Sequence, residues 1–191
     1  MTTEQLYNEL NYVNHSREKR LYYAHLMHDN PQLIPKLLEI LFMVDDKISP
    51  RASWVFEFMC NDNIDTIIPY LDVFTENMHK VHLDSAVRPV AKICEFLAVA
   101  YTDKTDNKMK KALTASHIER IIENCFDYMI NDEKVASKAY SMTTLFLFGK
   151  EYDWVYPELA RILEDDFSKQ SAAFKARARH ILKKIKKNKK R

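Results

Sequence analysis

Seven histidines are the residues of this chain most able to ligate a metal or move a proton. Two pairs are spaced three residues apart, His25 with His28 and His79 with His82, and Asp84 follows the second pair. On a helix that spacing turns both imidazoles to one face, where they offer two ligands to zinc. A zinc site takes three or four protein ligands, and no Cys or His cluster elsewhere completes either pair. These histidines are expected at caps and turns, and no metal is expected. The carboxylate pairs Asp45-Asp46 and Asp165-Asp166 invite an acid–base reading, yet both fall at a recurring turn, where an Asp oxygen caps the next helix. Ser141, Thr143 and Thr144 have no adjacent His to activate a hydroxyl. No GxSxG, HExxH or P-loop pattern is present. The single glycine, Gly149, cannot furnish the run of open backbone that cradles a phosphate or a dinucleotide. No catalytic residue and no cofactor is expected.

Charge gives the strongest remaining signal. All 27 acidic residues lie at or before Asp166, whereas the stretch from Lys175 to Arg191 holds ten Lys or Arg and no acid. Within it, Ile181, Leu182 and Ile185 mark an amphipathic docking stripe. Residues 183–191 are expected to form a basic tail beyond a domain of residues 1–182. In that tail Lys183, Lys184, Lys186, Lys187, Lys189, Lys190 and Arg191 can neutralise the phosphates of a nucleic acid or another polyanion. Cys60, Cys94 and Cys125 are scattered and form no CxxC, as expected of reduced thiols in the cytoplasm. No secretory leader and no membrane-length apolar run is legible, so a soluble chain is expected.

The elements that must position these residues read as helices. One glycine in 191 residues argues against hairpins, and apolar residues recur at helical spacing, as in Leu6, Leu10 and Val13 or Leu33, Leu37, Leu38 and Leu41. Expected starts are Thr2 or Thr3, Ser16, Asn30-Pro31, Ser49-Pro50, Asp65, Asp84-Ser85, Ser116 with Glu119 as a capping box, Asn131-Asp132, Asp153 and Ser171. Gly149 is expected to end a helix as a left-handed cap. The prolines give a repeat: Pro35 and Pro69 are 34 residues apart, and Pro157 lies two units and one insertion further on. The insertion is the polar stretch from Thr102 to Lys111. About ten helices in five pairs result, an all-α chain in which each pair buries its apolar face against the next.

The helix LIPKLLEIL, an Asp turn, and then SAVRPVAKICEFLA together resemble HEAT and armadillo-type repeats. Val87-Arg88-Pro89-Val90-Ala91 carries the likeness most closely. The resemblance implies a right-handed α-α superhelix of about five HEAT-like pairs, each an A helix followed by a B helix. The B helices, starting near Ser16, Ser49, Ser85, Asp132 and Ser171, would line its concave face. Contact residues implied there are Arg51, Trp54, Arg88, Lys92, Glu95, Lys138 and Tyr140, and the implied ligand is a protein or peptide. A nucleic acid held by the basic tail and the concave arginines is the alternative. The HEAT-like alkylpurine DNA glycosylases place a Trp and an Asp on that face. Here Trp54 is followed four residues on by Phe58, and the pair Trp154 and Glu158 falls in an A helix with Pro157 between them, so their catalytic set does not transfer. Small bacterial HEAT-like proteins of similar size and look are sometimes named adenylosuccinate lyase. The genuine lyases carry a Ser-Ser-x-Met-Pro-x-Lys-x-Asn loop, and the chain has none.

Overall fold

A computed structural model describes residues Met1–Asn188, and all regular structure in that span is helical. The α-helices are α1 (Thr3–Glu9), α2 (Arg17–Asp29), α3 (Ile34–Leu41), α4 (Ser49–Asp62), α5 (Leu71–Asn77), α6 (Asp84–Tyr101), α7 (Lys108–Ala112), α8 (Ala115–Ile130), α9 (Val135–Phe148), α10 (Val155–Asp166) and α11 (Ala172–Asn188). Short 3₁₀ turns precede or follow several of them, the longest at Ile64–Tyr70. That segment contains Pro69, whose missing N–H interrupts the α ladder, so α5 starts only at Leu71.

Five pairs follow the expected order: α1 with α2, α3 with α4, α5 with α6, α8 with α9, and α10 with α11. The helix α7 occupies the insertion, where Met109 is buried and anchors an otherwise polar stretch against α6. The B helices α2, α4, α6, α9 and α11 pack in that sequence, each on the next, and form one continuous layer. In the other layer α1 packs on α3 and α5 packs on α8, while α8 meets α10. Phe56, Phe74, Phe148 and Phe174 lie fully buried in the core, with Phe56 and Phe74 joining α4 to α5 at a ring separation of 5.8 Å. Each such side chain contributes roughly 1.5–3 kcal/mol by leaving water, which no isolated pair of these short helices obtains.

Several caps differ from expectation. Ser49 does not cap α4. It lies buried inside the first turn, and its hydroxyl donates to the Leu41 carbonyl at 2.6 Å, closing α3 instead. Thr114, not Ser116, caps α8, and His117 returns the bond as the second half of the capping box. Asn63, rather than Asp65, caps the 3₁₀ segment that leads into α5. Gly149 has φ −62° and ψ −4°, so it is not left-handed. A Cβ there would lie 2.3 Å from the Tyr156 ring, so glycine is required by close approach. The turn role of Asp46 is as expected, since its Oδ1 accepts the Ile48 N–H at 2.7 Å.

Candidate functional site

The continuous B layer gathers most of the residues expected to contact a partner. Along α6, Arg88, Lys92 and Phe96 recur at four-residue spacing, so they share one face. Pro89 lies within the same helix and withdraws the N–H that would bond the Ser85 carbonyl. The Trp54 indole N–H of α4 donates to that carbonyl at 2.7 Å, so the tryptophan ties α4 to α6 while one edge stays half exposed. Its other neighbour is His15, with ring centres 4.9 Å apart.

Beside Trp54 lies a compact charged cluster. Arg88 makes a bidentate pair with Glu57, Nη1 to Oε1 at 3.0 Å and Nη2 to Oε2 at 2.6 Å. The Arg88 side chain is 32% exposed and that of Glu57 only 9%, so the cation lies above and the carboxylate beneath. Burial depresses the Arg88 guanidinium, but Glu57 more than offsets it, with Tyr140 adding to the rise. Lys92 repeats the arrangement with Glu95 beneath it, 26% against 10% exposed, and its ammonium stands 4.8 Å from the Phe96 ring and 4.5 Å from the Tyr140 ring. Arg20 of α2 lies 4.5 Å over the Phe58 ring of α4. Burial lowers its pKa, with Glu57 and Arg88 acting on it in opposite senses, which places all three in one electrostatic unit.

Two expected contact residues are committed elsewhere. Lys138 is only 4% exposed, and its ammonium donates to the Met129 carbonyl at 2.9 Å, where it closes the C-terminus of α8. It sits inside, out of reach of a partner, because α9 packs that flank against α8. Arg51 donates to the carbonyls of Leu10 and Asn11, capping the first helical segment. Arg20, Glu57 and Phe96 join this face without having been expected there, and Phe58, noted in the sequence only for its spacing from Trp54, supplies a ring to it. Phe96 is legible one turn after Lys92, whereas Arg20 joins the cluster only through the crossing of α2 and α4.

The expected boundary after Leu182 falls inside a continuous helix. Ile185 is buried, Lys184 lies 5.5 Å from the Phe146 ring, and Asn188 donates to the Tyr156 hydroxyl at 3.1 Å. Lys183, Lys186 and Lys187 face solvent on α11, while Lys189, Lys190 and Arg191 lie outside the described residues. Three of the histidines take carboxylate partners: His28 with Asp62 at 3.3 Å, His82 with Asp45 at 3.2 Å, and the buried His117 with Asp72 at 2.7 Å, linking α8 to α5. Among the described residues no group of three or more His, Cys, Asp or Glu is placed to hold a metal, and no helix is long and apolar enough to cross a membrane.

The two layers also differ in charge. The A helices α1, α3, α5, α8 and α10 carry 12 acidic and 3 basic side chains, whereas the B helices carry 14 basic and 6 acidic ones. Half of those 14, seven, belong to α11. On the acidic side, a cleft of about 430 Å³ between α5 and α8 is lined by Glu76, Glu123 and Asp127 around Arg120.

Paired helices, an unbroken layer of B helices and one polar insertion define a helical repeat array. A family model described as a HEAT repeat domain matches residues 6–185, and the chain belongs to that family. A search of curated proteins returned no match, and neither did a search of solved structures.

Proposed function

We propose that the chain is a non-catalytic scaffold that binds a protein or peptide on the B-layer face, within the cytoplasm. The observation that carries this is the strip of partly exposed Trp54, Arg88, Lys92 and Tyr140 across α4, α6 and α9. Neighbouring helix axes lie about 8–10 Å apart, so three helices offer a surface of about 20 Å, longer than a small ligand fills. HEAT repeats generally serve such interactions, and the three buried, unpaired cysteines suit a reducing compartment. Glu95 contributes by holding Lys92 in place. Arg51 and Lys138 contribute by fixing helix ends. Capture of partners from source-cell lysate on the immobilised chain tests the face. A double variant Lys92→Ala with Tyr140→Ala should lose the specific partner, and an unchanged partner set would sink the assignment.

A second reading, nucleic-acid binding, is favoured by one observation, the solvent-facing Lys183, Lys186 and Lys187 on α11. Replacing these three by Gln should flatten the salt dependence of binding to labelled DNA or RNA by about one unit of slope per lost phosphate contact. Absence of binding at low salt eliminates this reading.

A further inference from the structure

Arg88 and Lys92 lie above their carboxylates, Glu57 and Glu95, and beside them Arg20 lies over the Phe58 ring of α4. Glu57 and Glu95 balance two of these three charges from below, leaving an excess positive charge on the solvent side. From this centre we infer that the B-layer face takes an acidic peptide segment in extended conformation, with carboxylates at alternate positions. The inference rests on the scaffold reading and names the chemistry of its partner.

Three features carry it. The first is unspent donor capacity. A guanidinium has five N–H donors and an ammonium three. Arg88 bonds Glu57 through Nη1 and Nη2, and Arg20 bonds the Ser16 and His15 carbonyls through Nε and Nη2. Lys92 bonds the Glu95 carboxylate. Donors remain on each for an incoming carboxylate.

The second is preorganisation. Long basic side chains ordinarily lose about 0.5–1.5 kcal/mol of rotamer freedom when a partner immobilises them. Here Phe58 holds Arg20, and Phe96 with Tyr140 holds Lys92, before any partner arrives. Arg88 and Lys92 stand one helical turn apart, about 6 Å along α6. An extended chain returns to the same side every second residue, about 6.8 Å, so alternate acids meet successive cations.

The third is the field of the whole molecule. The A helices, with 12 acidic and 3 basic side chains, repel an acidic chain, and the B helices, whose excess of cations comes mostly from α11, attract it, which steers approach to that side. The same rings argue against single-stranded nucleic acid at this spot. Binding of that kind needs free aromatic faces for base stacking, and the faces of Phe58, Phe96 and Tyr140 carry cations of this chain.

The test is fluorescence anisotropy of the full chain with a labelled peptide of alternating Glu and Thr, beside a Lys–Thr peptide and labelled oligo-dT. The Glu–Thr peptide should bind, more weakly as salt rises, and the Lys–Thr peptide should not. Arg20→Ala and Lys92→Ala should each weaken binding about tenfold, or ~1.4 kcal/mol, measured at a temperature where thermal unfolding shows each variant fully folded. Lys36→Ala, on the A layer, should leave it unaltered. The inference is overturned if the Glu–Thr peptide does not bind, if it binds both variants as it binds the unmodified chain, or if oligo-dT displaces it in a manner that depends on Arg20 and Lys92. If the peptide fails while lysate capture still depends on Lys92 and Tyr140, only the acidic chemistry falls. If both fail, the scaffold face falls with it.

Discussion

Trp54 joins two roles in one side chain. Its ring contributes to the exposed strip, and its N–H satisfies a carbonyl that Pro89 leaves without its usual donor. Removing the N–H together with part of the ring, by Trp54→Phe, should cost at least about 1 kcal/mol, the lost hydrogen bond plus the lost ring contacts. If Pro89 creates that need, Pro89→Ala returns an N–H to Ser85, and the same Trp54→Phe change should then cost less. A double-mutant cycle read by chemical denaturation should give a coupling of about 0.5–1 kcal/mol, and additivity would contradict the account. The importance of Trp54 was legible as an aromatic on a B helix. Its bond was not, because Ser85 lies 31 residues away and only the packing of α4 on α6 brings them together.

For single elements, the lesson of Gly149 is that a helix-ending glycine has more than one physical cause. Position in the sequence suggested a left-handed cap, and the backbone is right-handed. What excludes a side chain is Tyr156, stacked on Phe146 and held by hydrogen bonds from its hydroxyl to the Phe146 carbonyl and from Asn188. Gly149→Ala should therefore destabilise by about 1–3 kcal/mol, the usual cost of overpacking, measured as a shift in the denaturant midpoint. A cap of ordinary kind at φ −62° would instead gain slightly from Ala, so the sign of the shift discriminates. Lys138 teaches the complementary point. A lysine on a B helix was expected at the surface, yet its stem is buried and its ammonium closes α8, a placement decided by the angle between α8 and α9.

Across the whole molecule, stability passes from each pair to the next, as in any linear array. The last helix should thus be separable from the rest. Ile185→Asp, placing a charge in the seam between α11 and its neighbours, should expose α10 and α11 amides to hydrogen exchange while α4, α6 and α8 stay protected. Uniform loss of protection along the chain would show a single cooperative unit. The charge division belongs to this scale too. Read along the chain it is an acidic body with a basic C-terminus; folded, the acids gather on the A helices, the B helices α2, α4, α6 and α9 are close to neutral, and α11 supplies most of the positive excess of the B layer.

The repeat grammar of the sequence by itself determined the helical class, the five pairs, the position of the insertion and the starts of α2, α4, α6 and α11, because periodicity and turn residues act over a few residues at a time, whereas α9 begins at Val135 and not at Asp132. It also pointed to Arg88, Lys92 and Tyr140 as members of one face. The tertiary structure alone decided that Arg20 joins them, that Glu57 and Glu95 lie beneath them, and that Lys138 faces inward. Those outcomes depend on how helices distant in sequence cross, and helical spacing within one helix carries no record of which neighbour will lie against it.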